Sequence, residues 1–208
     1  MALEENTPPV AMDDSGSTGE DTSLIVTLGT NDLLQNDSDA DGDMLTVNTV
    51  PVVSPANGVL NLNSNGTYTY IPNTNFNGND TFVYEVSDGN GGTDMGTVNI
   101  IVVPINDAPV FESISDITVY DGDVINFTIT ANDPDADPLA YSSTTLPDGA
   151  TLNTQTGIFN WIAKREKGKN GGTFNIAFEV SDSELVDSQT MTIFVEKTSG
   201  GGKPKKGK

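Results

Sequence analysis

The feature that most restricts how this chain can fold is an internal repeat: a set of short blocks returns in the same order in its second half. Asn6-Thr7-Pro8-Pro9-Val10 returns as Asn106-Asp107-Ala108-Pro109-Val110, and NDSDAD (Asn36 to Asp41) returns as NDPDAD (Asn132 to Asp137). Asn57-Gly58 with the segment Gly66 to Ile71 matches Asp148-Gly149 with Gly157 to Ile162, and EVSD occurs at Glu85 to Asp88 and again at Glu179 to Asp182. Collinear blocks at this spacing mean one supersecondary unit built twice.

Each copy consists of short alternating segments separated by Gly, Asn, Asp and Pro, the pattern of a sandwich and not of a strand-helix-strand fold. In the second copy the alternation predicts seven strands, near 115–120, 124–131, 139–143, 150–153, 157–162, 173–181 and 188–196. Phe174, Ile176, Phe178 and Val180 would supply the buried face of one sheet. The expected fold class is all-β: two tandem seven-stranded Greek-key β-sandwiches over 7–104 and 105–197, joined through Pro104 to Pro109 and followed by a disordered Lys/Gly tail at 198–208.

Charge narrows the function. The formal net charge is -21, and no Lys or Arg precedes Lys164. Such a chain repels phosphate backbones and anionic lipid, so nucleic acid is not an expected partner, and no apolar run is long enough for membrane insertion. It should collect cations. With no Cys and no His, disulfides, thiolate or imidazole metal sites and the usual nucleophile-base pairs are excluded, so zinc is not expected and oxygen-only metal sites are left. Those suit extracellular Ca2+, so a secreted or cell-surface location is expected, the chain being one piece of a longer protein. Met1 to Glu5 does not read as a signal peptide.

Carboxylates at alternate positions in a Gly, Asn and Pro loop can converge on one Ca2+, which accepts six to eight oxygens with flexible geometry. Asp37, Asp39, Asp41 and Asp43 have that spacing, as do Asp133, Asp135 and Asp137. The first run resembles the opening of an EF-hand loop but lacks its twelfth-position Glu and flanking helices. In a seven-stranded sandwich the N-terminal approach, the loop after the second strand and the loop after the sixth share one end. For the second copy these carry Asn106 and Asp107, Asp133 to Asp137, and Asp182 with Asp187, and Asp88 is the first-copy counterpart of Asp182. The far end of the first copy would offer Glu20, Asp21 and Asp80, and the expected calcium site lies at the junction of the repeats.

These blocks resemble bacterial cadherin-like repeats of adhesins and large calcium-dependent exoproteins. The first copy carries the likeness in "NDLLQNDSDADGDMLTV", "PANGVLNLNSNGTYTYIPNTNFNGNDTFVYEVSDGNGGTD" and "VPINDAPV". The second, through "ANDPDADPLAYSS", "LPDGATLNTQTGIFNW" and "FEVSD", is similar to dystroglycan-type cadherin-like and immunoglobulin-like domains. The resemblance implies that Asn106, Asp107, Asp133 and Asp135 stand for the cadherin linker and DxD calcium ligands. The first copy has no counterpart of the acidic motif around an Arg in animal cadherins, and only Asp80 is near its place.

The leading functional expectation is a non-catalytic calcium-binding spacer in an adhesion setting, with Ca2+ rigidifying the junction and neighbouring repeats as partners. The alternative is a carbohydrate-binding accessory module of a secreted polysaccharide-degrading enzyme, with cell-surface or matrix polysaccharide as partner. Exposed aromatics would favour the alternative, but Trp161 fills the slot of Tyr70, which predicts core packing for both. Lys164, Arg165, Lys167 and Lys169 read as a solvated hairpin loop.

Overall fold

The structure, a computed structural model, describes residues 5–165 and 171–197. The predicted tail and Lys167 and Lys169 lie outside the described residues. The chain divides into two compact units, Met1–Ile105 and Asn106–Lys208, and among the described residues every regular element is a β-strand.

In the first unit the strands are β1 (Asp14–Gly19), β2 (Leu24–Val26), β3 (Thr46–Val47), β4 (Gly58–Leu62), β5 (Tyr68–Pro72), β6 (Gly78–Ser87) and β7 (Thr93–Val103). They form two sheets, ordered β1-β7-β6-β3 and β2-β5-β4, with β1 parallel to β7 and the other pairs antiparallel. The long β6 and β7 alternate strictly. Phe82, Tyr84 and Val86 face in with Val98, Ile100 and Val102, and Tyr68 and Tyr70 of β5 meet them from the other sheet. Tyr68 sets its ring edge-on to Phe82, with centroids 5.3 Å apart. Each such side chain contributes about 1.5–3 kcal/mol by leaving water.

The second unit opens with β8 (Val110–Phe111) and continues as β9 (Ile117–Tyr120), β10 (Val124–Thr128), β11 (Ala131–Asn132), β12 (Ala140–Ser142), β13 (Thr151–Leu152), β14 (Ile158–Ile162), β15 (Gly171–Ser181) and β16 (Val186–Glu196). Its main sheets, β12-β15-β16-β9 and β10-β14-β13, repeat the order of the first unit. Ile176, Phe178 and Val180 are buried as the alternation predicts, while Phe174 is half-buried and packs edge-on against Trp161 at 4.8 Å.

One expected strand is two. The segment 124–131 leaves β14 after Thr128, where Ile129 N–H bonds to Gly157 O at 3.0 Å, and resumes as β11 paired with β8. The switch of partner is forced because β14 has turned away at Gly157, whose φ of 67° no β-strand residue adopts. Val10 and Ser38 form the matching bridge in the first unit. The acidic loop follows directly from this short pairing in both units, so the strand switch sets the loop beside the N-terminal approach.

Candidate metal centres

In the second unit the acidic loop is folded around Asp133. Its Oδ1 accepts the N–H groups of Asp135 at 2.9 Å and Asp137 at 3.3 Å, so the three carboxylates turn to one side. One carboxylate oxygen from each of Asp133, Asp135 and Asp137 lies within 4.8 Å of the others. The N-terminal approach closes on this loop. Asp107 N–H bonds to Asp135 Oδ2 at 2.7 Å, carboxylate oxygens of Asp107 and Asp135 come within 4.8 Å, and Asn106 Nδ2 donates to Asp182 Oδ2 at 2.9 Å. Asp182 Oδ1 also accepts from the N–H groups of Glu184 and Leu185, and these donors hold its carboxyl below the usual range. Asp187 Oδ2 takes the N–H of Phe111 at 2.9 Å, tying β8 to β16.

The first unit builds the same arrangement, two residues further along than the letters suggest. Asp39 Oδ1 accepts from Asp41 N–H at 2.8 Å and Asp43 N–H at 3.1 Å, and Thr7 N–H bonds to Asp41 Oδ2 at 2.7 Å. Asp39, Asp41 and Asp43 therefore stand where Asp133, Asp135 and Asp137 stand, and their oxygens also lie within 4.8 Å. The residue that fixes the register is the one in left-handed conformation, Gly42 at φ 79° and Ala136 at φ 62°. Matching NDSDAD to NDPDAD had aligned Asp37 with Asp133. The backbone instead aligns Asp37 with Ala131, and Asp37 lies outside the group. Asn6 Nδ2 donates to Asp88 Oδ2 at 2.8 Å, as Asn106 does to Asp182. Asn6 was not singled out from the sequence, although its equivalence with Asn106 was visible in the first repeated block. Asp94, which accepts Ala11 N–H at 2.9 Å as Asp187 accepts Phe111 N–H, was not singled out either.

A divalent cation fits both loops on one specific observation. Asp39 Oδ2 and Asp133 Oδ2 are buried oxygens with no hydrogen-bond partner, and they occupy the same place in each loop. A buried carboxylate oxygen left unpaired costs the full desolvation penalty of that atom. No basic side chain precedes Lys164 to satisfy either one, and Arg165 is bonded to Asp121 at 3.1 Å.

The other candidates are engaged differently. Asp37 Oδ1 accepts Met12 N–H at 2.8 Å, and Oδ2 lies 3.5 Å from the Tyr84 hydroxyl; burial pushes this carboxyl up. Asp80 holds four donors, the N–H groups of Ala56, Asn57 and Thr81 and the Tyr70 hydroxyl at 2.9 Å. These bonds outweigh burial and keep it below the usual carboxylate range. Glu20 accepts Ile105 N–H and, at 3.4 Å, Asn77 Nδ2. Trp161 and Tyr70 are both buried with their polar tips on equivalent carbonyls, Nε1 to Asp148 O at 3.2 Å and the hydroxyl to Asn57 O at 3.3 Å.

A family model for the bacterial cadherin-like domain matches residues 6–104, and one described as "Putative Ig domain" matches residues 108–196. The chain thus carries a bacterial cadherin-like domain followed by an Ig-like domain, an order consistent with tandem cadherin-like repeats. Solved cadherin ectodomains share the fold. Human CDH23 EC21-23 is 14% identical with a TM-score of 0.57 and is matched over 92% of this chain and 70% of its own. Human Protocadherin-24 EC1-2 is 16% identical with a TM-score of 0.54, over 94% and 100%. An endo-fucoidan hydrolase from glycoside hydrolase family 107 is 21% identical at a TM-score of 0.39, over 92% of this chain, which spans 29% of that enzyme. No curated protein matches the chain. Among the described residues of this repeat pair no helix is long and apolar enough to cross a membrane.

Proposed function

We propose that this cadherin-like pair is a non-catalytic, extracellular calcium-binding spacer of a larger adhesion or surface protein. Asp39, Asp41 and Asp43 in one unit and Asp133, Asp135 and Asp137 in the other, with Asn106 and Asp107, hold the ion. Asp88 and Asp182 orient the approach segments by accepting Asn6 and Asn106. The observation that carries the reading is the unpartnered buried oxygen of Asp39 and Asp133 inside each acidic group. Bound Ca2+ supplies the positive charge that residues 1–163 lack. Because Asn106 and Asp107 belong to the linker sequence, calcium held by them restricts the angles that the linker samples. Burial of Tyr70 and Trp161 leaves no aromatic strip of theirs for stacking on sugar, which favours the spacer over a polysaccharide-binding accessory module.

Calorimetric titration with calcium, thermal melting and small-angle scattering test this together. With an affinity of about 0.1–1 mM, ~10 mM free calcium stabilises by about 1.4–2.7 kcal/mol per site. The size distribution in scattering narrows with calcium for the wild type and stays unchanged for Asp107→Ala/Asp135→Ala. Identical melting curves in chelator and calcium overturn the metal reading. Identical scattering profiles with calcium bound overturn the stiffening.

A further inference from the structure

The two acidic groups are one site built twice, so differences between them isolate what each residue contributes. The correspondence rests on matching bonds within each unit. The bond from Asn6 to Asp88 repeats as that from Asn106 to Asp182, and Thr7 N–H to Asp41 repeats as Asp107 N–H to Asp135, both at 2.7 Å. The Asp39 bonds to the N–H groups of Asp41 and Asp43 repeat as those of Asp133 to Asp135 and Asp137. The orphaned buried oxygen occurs at the same place in both.

Two of the differences between them bear directly on the ligand oxygens, and both weaken the first unit. Thr7 offers a neutral hydroxyl where Asp107 brings a carboxylate to within 4.8 Å of Asp135. Asn90 Nδ2 also donates to Asp43 Oδ2 at 2.8 Å in the first unit, so a cation there competes with an amide already on its ligand. The hairpin after Asp182 runs Ser183-Glu184-Leu185 and contains no Asn. The number of charged ligands and the readiness of each oxygen set calcium affinity when loop geometry is shared.

Resting on the calcium reading above, we propose that the sites load in order, the second unit at lower calcium than the first, and that residue 7 or 107 sets the affinity of each. Asn90 acts as a secondary brake on the first site. A rise in external calcium then passes through a state with one unit loaded.

The test is a calcium titration of the full chain followed by amide NMR, reading Asp135 and Asp137 for one unit and Asp41 and Asp43 for the other. The wild-type midpoint of the Asp135 and Asp137 signals lies about tenfold lower in calcium. Thr7→Asp lowers the first unit's midpoint by about tenfold and leaves the second alone, and Asp107→Thr raises the second by a similar factor. Asn90→Ala lowers the first unit's midpoint by a smaller factor. Coincident midpoints in the wild type overturn the ordered loading, as does a first-unit midpoint that ignores Thr7→Asp, a substitution at an exposed position that does not risk the core of the second unit. Should no amide of either loop move by ~10 mM calcium, the calcium reading itself is overturned, and the inference with it.

Discussion

The hydroxyl of Tyr84 lies 3.0 Å from Asp14 Oδ2, in a corner that also brings Met12 O to 3.0 Å, Leu33 O to 3.4 Å and Asp37 Oδ2 to 3.5 Å. One proton serves four acceptors. Burial, with Asp37 nearby, raises the Asp14 carboxyl to about 6, and the Tyr84 hydroxyl is pushed far up. In the second unit Phe178 and Ala131 take the places of Tyr84 and Asp37, so the fold does not need this corner.

A raised carboxyl gives stability that is complete below its ordinary value of 3.8 and is lost as pH rises through about 6. In chelator, the first unit is expected to gain stability as pH falls from 7 through that range. Below the ordinary Asp value it loses stability again, because Asp80 and Asp88 are held low and must then take up protons. Asp14→Asn should stabilise the unit at pH 7 by about 1 kcal/mol, a figure reduced for solvent screening of a half-buried group. Melting curves from pH 4 to 8 check this, and a gain that persists at pH 4 would contradict it.

Asp133→Asn separates structure from metal binding. Asn keeps an Oδ1 acceptor for the N–H groups of Asp135 and Asp137 and removes the charge from the orphaned buried oxygen. Without calcium the variant should melt at or above the wild-type temperature, because an unpaired buried charge is gone. With calcium its gain should shrink, the affinity falling about tenfold or more. Scanning calorimetry in both conditions reads the two effects apart.

Trp161→Ala should destabilise the second unit by about 3–5 kcal/mol. The ring is 3% exposed, packs on Phe174 and bonds to Asp148 O. Urea unfolding measures the loss. A normally folded variant that had lost affinity for a polysaccharide would return the accessory-module reading to first place.

Gly157→Ala and Gly149→Ala both place a side chain at positive φ, 67° and 79°, but only the first meets an obstacle. A Cβ at 157 would lie 2.3 Å from Ile129 O, whereas nothing lies within 4 Å at 149. Gly149→Ala should cost about 1–2 kcal/mol, the backbone strain alone. Gly157→Ala should cost distinctly more, because the carbonyl it strikes belongs to the turn where β10 gives way to β11. Equal unfolding midpoints for the two variants would refute this.

The sequence alone determined that the chain folds as two all-β sandwiches, because repeated blocks, period-two alternation and turn residues at regular spacing admit few other solutions. It also determined that acidic loops follow the second strand and that Trp161 shares a core slot with Tyr70. Tertiary structure decided which carboxylates gather. Alternating Asp residues serve equally as turn acceptors and as cation ligands, so composition and spacing do not separate Asp37 from Asp43. Strand register does: Gly42 and Ala136 in left-handed conformation set the loop two residues beyond the match of letters, and the Tyr84 corner takes Asp37 away. Asp80 likewise sits near the expected place in sequence, yet the Tyr70 hydroxyl and three backbone N–H groups occupy it. The donors that reach a carboxylate come from strands distant in sequence, and only packing brings them there.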